Sequence, residues 1–170
     1  GNDKKVPSIE KFLSKSPNPA LGLRAIRLTL AFPKIFKKQI SAILRASVYG
    51  NIRIMLPMVS NVSELIETKK LISEVKNELE KNHNRKKIKI KQPKIGVLIE
   101  TPAAALISEA LAKNCDFFAI GTNDLTMYTL AIDRGDEEVA KIYDPGHLSL
   151  LKLIDLSAKS AKKNRIPISI

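Results

Sequence analysis

Apolar positions along the chain switch period several times, and each switch marks a predicted element. From Ile26 to Ala46 they recur at helical spacing, at Ile26, Leu30, Ile40, Ile43 and Leu44, with Pro33 placed to interrupt or restart the helix. Ile52–Met58 (IRIMLPM) is short, apolar and rich in branched residues, as a buried strand should be. Asn61 followed by Glu64 has the spacing of a helix-capping box, and Val62, Leu65, Ile66, Ile72, Val75 and Leu79 supply the stripe of a long amphipathic helix behind it.

A second strand, Ile95–Ile99, runs into Glu100-Thr101-Pro102. Thr101 can cap and Pro102 suits the first position of a helix continuing through Ala103–Ala112. Phe117–Ile120 make a third strand, closed by Gly121-Thr122-Asn123-Asp124 ahead of a helical stretch carrying Leu125, Tyr128, Leu130 and Ile132. Leu148–Ala161 reads as one more helix, and Pro167–Ile170 as the start of a fourth strand. Strands alternating with helices predict an α/β protein with a parallel sheet and right-handed crossovers. The pattern fits an open doubly wound sheet or part of a (β/α)8 barrel; a whole barrel takes about 250 residues. A last apolar strand without a covering helix favours a fragment of a larger sheet.

Composition narrows the functional classes. The chain has 170 residues, 44% of them apolar, enough for a core, and no apolar run reaches the roughly 18 to 20 residues of a membrane span. Its one cysteine, Cys115, suits a reducing compartment, so a cytoplasmic location and no membrane insertion are expected. Most of the net charge of +12 gathers in residues 81–94, where Lys81, Arg85, Lys86, Lys87, Lys89, Lys91 and Lys94 read as a basic connector. No aromatic side chain is interleaved to stack bases, so no nucleic-acid partner is expected.

The chemistry sits where strands hand over to helices. Glu100 and Asp124 end successive predicted strands, which lie about 4.8 Å apart in a sheet. An all-carboxylate pair suits Mg²⁺ or Mn²⁺, with open positions for water and a phosphate or carboxylate. The same two residues also suit helix N-termini on electrostatic grounds alone, and their spacing leaves both readings open. Arg134 and Arg24 are candidate anion clamps, with a surface ion pair to Asp133 or Asp136 the alternative for Arg134, while Arg27 reads only as solvating its helix. Asn123 offers an amide acceptor and donors at the same strand end, with a plain turn residue the alternative.

The segments NPALGLRAIR, IRIMLPMVS, IGVLIETPAAA and DFFAIGTNDLTMYTLAIDRG, in this order, resemble the phosphoenolpyruvate-binding barrel of the Enzyme I family, the phosphoenolpyruvate-protein phosphotransferases of the sugar phosphotransferase system. GNDK at the start resembles the family's GGDK, with Asn2 in place of the second Gly. The resemblance implies a partial (β/α)8 TIM barrel of about four consecutive β/α units, with residues 1–170 a fragment of a single barrel domain. It implies that Glu100 and Asp124 hold Mg²⁺, or Mn²⁺, and that Arg24, Asn123, Asp124 and Arg134 contact phosphoenolpyruvate.

In that family the phosphoryl group passes to a histidine on a separate N-terminal domain and then to the phosphocarrier protein. The enolate left behind is protonated by a cysteine in a CGE motif. By this resemblance the catalytic cysteine would follow Ile170, the chain carries no catalytic residue of its own, and in isolation it is inactive, while its parent enzyme is a homodimer. Cys115 precedes a strand and is not that cysteine, and His83 and His147 do not match the phosphoacceptor. A non-catalytic remnant or dimerisation module, or a fragment of a pyruvate phosphate dikinase or phosphoenolpyruvate synthase relative, are the alternatives.

Overall fold

The computed structural model describes residues 18–82, 90–133 and 135–170. Its frame is a four-stranded parallel sheet in the order β1-β2-β3-β4: β1 Arg53–Leu56, β2 Lys94–Ile99, β3 Phe117–Ile120 and β4 Ile168–Ser169. Strand order therefore follows chain order. With right-handed crossovers, stepping always in one direction puts every connecting helix on one face, which is the barrel arrangement; a doubly wound sheet must reverse. The molecule is thus an α/β protein built as part of a (β/α)8 barrel.

Alternation along the strands sorts the two faces. Ile54, Leu56, Ile95, Val97, Ile99, Phe118 and Ile120 point to the helices and join one buried core with Ile40 and Leu44, Leu65 and Ile72, and Leu111 and Leu150. The other face carries Met55, Gly96, Leu98, Phe117 and Ala119. Phe117 lies across Gly96, where an added Cβ would come within 2.4 Å of its ring, and the Arg53 guanidinium stacks above it 5.6 Å from the ring centre. The continuous apolar run of β2 is the mark of a strand meant to be covered on both faces.

Pro33 restarts rather than kinks its helix: α1 is Ala25–Ala31, Phe32 bridges, and α2 is Pro33–Ala46 with the proline in its first turn, where no N–H is needed. The strand expected over 52–58 is shorter, because Pro57 has no N–H to continue the ladder and Met58 turns into the left-handed region at φ 56°. α3 (Val62–Asn82) begins with the expected box, in which Asn61 Oδ1 accepts the Ser63 N–H at 3.1 Å and Glu64 Oε2 accepts the Asn61 N–H at 2.9 Å. Asn61→Ala should cost about 1 kcal/mol. A melt should fall by roughly 2–4 °C for a chain of this size, and an unchanged melt would deny the cap its role.

The helix expected over 103–112 is two short helices, α4 (Pro102–Leu106) and α5 (Ser108–Ala112), broken at Ile107. α6 (Thr122–Leu130) stops before Ile132, because Ala131 takes a left-handed cap at φ 56° and the Ile132 N–H returns to the Met127 carbonyl. A short α7 (Glu137–Ala140) capped by Asp136 was not signalled by periodicity. α8 (Leu148–Lys163) is capped by His147, whose Nδ1 accepts the Ser149 N–H, so that histidine is structural. The ends of the basic connector belong to regular elements, Lys81 to α3 and Lys94 to β2, and Ile90 between them is buried. His83 and the cluster Arg85 to Lys89 lie outside the described residues. Among the described residues, no helix is long and apolar enough to cross a membrane.

Candidate functional site

Because Ile99 and Ile120 are paired in register, β2 and β3 end level, and the residues after them share one crevice. The crevice is a cleft of about 370 Å³ lined by Glu100, Ile120, Gly121, Thr122, Asn123 and Asp124. Thr101 caps α4: its Oγ accepts the Ala104 N–H at 3.1 Å and donates to the Val59 carbonyl at 2.9 Å. That leaves Glu100 with no capping task on its own helix. Its carboxylate reaches back to β1, where Oε1 accepts the Met58 N–H at 2.6 Å, and it is only 5% exposed. The left-handed backbone of Met58 costs about 1 kcal/mol or more for a non-glycine residue, and it sits at the residue whose amide faces Glu100.

Burial pushes the Glu100 carboxyl above its ordinary range and the neighbouring Asp124 adds to the push, while the Met58 amide and Arg24 pull downward. The sign follows directly. A carboxyl with a raised pKa contributes stability below the unfolded value and loses it as pH rises through the folded one. The metal-free chain should therefore become less stable from about pH 4 upward through Glu100's titration, and Glu100→Gln should flatten that slope in melts recorded across the range. An unchanged slope would mean that Glu100 is not the group responsible.

Asp124 is the third residue of α6, in the first turn, where a negative charge is favoured by the helix dipole. The helix-capping alternative thus holds in part for Asp124 and not for Glu100. Arg24 comes to Asp124 from the loop before α1, with Nη2 3.6 Å from Oδ2 and both side chains mostly covered. The other guanidinium nitrogen, Nη1, donates to the Tyr128 hydroxyl at 3.2 Å. Asn123 is exposed at the mouth, where its Oδ1 accepts from the Tyr143 hydroxyl at 3.2 Å.

Arg134 lies outside the described residues; its neighbours Asp133 and Asp136 accept backbone N–H groups of Gly135 and Glu138. Arg27 does more than solvate a helix, since its Nη1 donates to the Leu21 carbonyl at 3.0 Å and braces the loop that carries Arg24.

In the sequence Gly121 marks only the end of a strand, yet it lines the cleft. A Cβ there would stand 2.8 Å from Glu100 Cβ and 3.0 Å from its Oε2. Its φ of −91° is open to any residue, so the need is for space. In the sequence Tyr128 is one apolar-face position of a helix, and its place one turn beyond Asp124 puts both on the same face. Among the described residues, no group of three or more His, Cys, Asp or Glu gathers to cage a metal. Two carboxylates that fill only part of a coordination sphere suit a hard cation that keeps waters or takes substrate oxygens, and the mutual repulsion of Glu100 and Asp124 is what such a cation relieves.

The chain matches, over residues 1–170, the family described as PEP-utilising enzyme, PEP-binding domain. It is similar to the phosphoenolpyruvate-protein phosphotransferase of Priestia megaterium, at 42% identity over 96% of this chain and 28% of that protein. The Bacillus subtilis (strain 168) protein of the same name is 44% identical over the same shares, and that of Buchnera aphidicola 46% identical over 91% of this chain and 26% of the protein. The chain thus spans little more than a quarter of the length of these curated relatives. A solved citrate lyase from Burkholderia xenovorans LB400 shares the fold, with a TM-score of 0.58 at 19% identity over 78% of this chain and 40% of its own. The level strand ends with their acidic residues and the match along the whole chain lead to one assignment: the chain belongs to the PEP-utilising enzyme family and carries sequence of its PEP-binding domain.

Proposed function

We propose that the cleft at the ends of β2 and β3 binds phosphoenolpyruvate together with Mg²⁺, Mn²⁺ serving as its alternative. In the same reading the parent enzyme passes the phosphoryl group to a protein histidine and on to a phosphocarrier protein. Glu100 and Asp124 are the metal ligands, and Arg24, Asn123, Asp124 and Arg134 contact the substrate. The observation that carries this is the meeting of three segments: a buried carboxylate after β2 and a second carboxylate in the first turn of α6 line one cleft, and Arg24 from the loop before α1 pairs with the second of them. The name shared by the similar proteins favours this reading over a dikinase or synthase relative.

The bound cation supplies charge neutralisation at the phosphoryl oxygens. Arg24 presents a rigid fork of N–H donors suited to two oxygens of one anion, and the first-turn amides of α6 offer further partial positive charge. In the transfer, the bond between phosphorus and the enol oxygen breaks as a phosphorus–nitrogen bond forms on an imidazole from another domain. The enolate then takes a proton to become pyruvate. Cys115 does not supply it: the thiol stands before β3, at the opposite end of the strands from the cleft, and burial pushes its pKa to about 11.

This reading makes residues 1–170 one part of a single barrel domain in a cytoplasmic homodimer of the sugar phosphotransferase system. The phosphohistidine domain and the proton-donating cysteine lie elsewhere in the parent enzyme, so the isolated chain binds ligand without turning it over. A thermal-shift series tests it. Phosphoenolpyruvate at about 100 times its dissociation constant should stabilise the Mg²⁺-loaded chain by about 2.7 kcal/mol, and by much less in EDTA. No shift, or the same shift in EDTA, would overturn the metal-assisted site.

A further inference from the structure

We propose that Tyr128 is a positioning residue that tethers Arg24 beside the cleft through a neutral contact, one that holds the guanidinium for an anionic substrate without offsetting its charge as the ion pair with Asp124 does. The inference rests on the phosphoenolpyruvate reading above and assigns a residue to that same site.

Arg24 is the residue before α1, with extended backbone and no capping hydrogen bond from its side chain. A guanidinium has no acceptor, so it cannot satisfy the N–H groups of the helix it precedes. The side chain instead crosses to α6, where its two terminal nitrogens part company: Nη1 meets the Tyr128 hydroxyl and Nη2 approaches Asp124. The hydroxyl also donates to the carbonyl of Ala20, in the loop that carries Arg24. One phenol group therefore holds both the loop and the arginine to the helix that bears Asp124. Its single proton is committed to Ala20, which leaves its lone pairs for Arg24. The tether is directional.

The chemistry of the two anchors differs. A carboxylate partner offsets the arginine's charge, and that partner is also a proposed metal ligand, drawn toward the cation when one binds. A phenol holds the same guanidinium without cancelling its charge and without competing for the cation. Ala25, next to Arg24, stands in the left-handed region at φ 49°, so the backbone there is held in a conformation an alanine does not choose. Arg27 braces the Leu21 carbonyl and Tyr128 the Ala20 carbonyl of the loop that leads to it.

The test uses the full chain with Mn²⁺ and phosphoenolpyruvate, titrated well below the melting temperature. Tyr128→Phe should weaken phosphoenolpyruvate about tenfold, the factor a contact worth about 1.4 kcal/mol supplies. In an Arg24→Lys background, where the fork is already gone, the same change should cost less than twofold. Equal losses in both backgrounds, or no loss in either, would overturn the tether. A spectroscopic arm separates this from failure of the functional reading: the Arg24 guanidinium NMR signals should show hindered rotation in the unmutated chain and free rotation in Tyr128→Phe. If the unmutated chain binds no phosphoenolpyruvate but shows that difference, the functional reading fails and the tether stands. Free rotation in both proteins overturns the tether.

Discussion

Replacing Glu100 with alanine should abolish measurable Mn²⁺ binding. Outer-shell partners of metal ligands already cost about 10- to 100-fold in affinity, and removal of a ligand from a two-carboxylate set should cost at least as much. Alanine also strands the Met58 N–H, which donates to Glu100 at 2.6 Å in a buried setting, at a cost of about 1–3 kcal/mol. Glu100→Gln separates the two effects, since its amide oxygen still accepts from Met58 while the charge is gone. Calorimetry should find metal binding lost in both variants and the melt lowered chiefly in Glu100→Ala. Retained Mn²⁺ affinity in Glu100→Gln would remove Glu100 from the ligand set.

Gly121→Ala should be nearly as damaging to the site with no chemical group removed. The new methyl would stand 2.8 Å from Glu100 Cβ and 3.0 Å from its Oε2, closer than such atoms pack. Glu100 has little room to retreat, because it is buried and Met58 holds its other oxygen. Overpacking of this kind costs about 1–3 kcal/mol, and the displaced carboxylate should cost about 10- to 100-fold in metal affinity. A titration that finds Gly121→Ala binding Mn²⁺ like the unmutated chain would mean that the Glu100 position is not critical.

The sequence carried the strands, the helix starts and the location of the cleft because these rest on local rules. Period-2 and period-3.6 patterns, the Asn61–Glu64 box and the Thr101-Pro102 start all act within a few residues. Sheet order is not local: the periodicity alone predicts a parallel sheet and leaves barrel and doubly wound readings open, the resemblance chooses the barrel, and the chain-order pairing of β1 to β4 agrees with it. The breaks at Ile107 and Ala131 were invisible because neither residue carries a breaker's chemistry; one ends α4 at φ −98° and the other adopts a left-handed cap.

Of the candidate site, Glu100, Asp124 and Asn123 stand out in the sequence by their place after strands, and Arg24 as a guanidinium in NPALGLRAIR able to clamp an anion. What the sequence hid were contacts made at long range. The pairing of Arg24 with Tyr128 spans 104 positions and that of Met58 with Glu100 spans 42, and no periodicity reports such meetings. Gly121 was hidden for another reason: its function is the absence of a side chain, and only the neighbouring carboxylate reveals that the space is used.

The central claim is that one cleft holds a divalent cation and phosphoenolpyruvate together, each strengthening the other. Titrating Mn²⁺ into the chain and following its free-ion paramagnetic resonance signal, with and without saturating phosphoenolpyruvate, tests this directly. The account predicts a Mn²⁺ affinity that rises by about 5- to 150-fold with phosphoenolpyruvate present, the range of ordinary coupling between linked ligands, with the reciprocal gain for phosphoenolpyruvate. A Mn²⁺ affinity unmoved by phosphoenolpyruvate would contradict it.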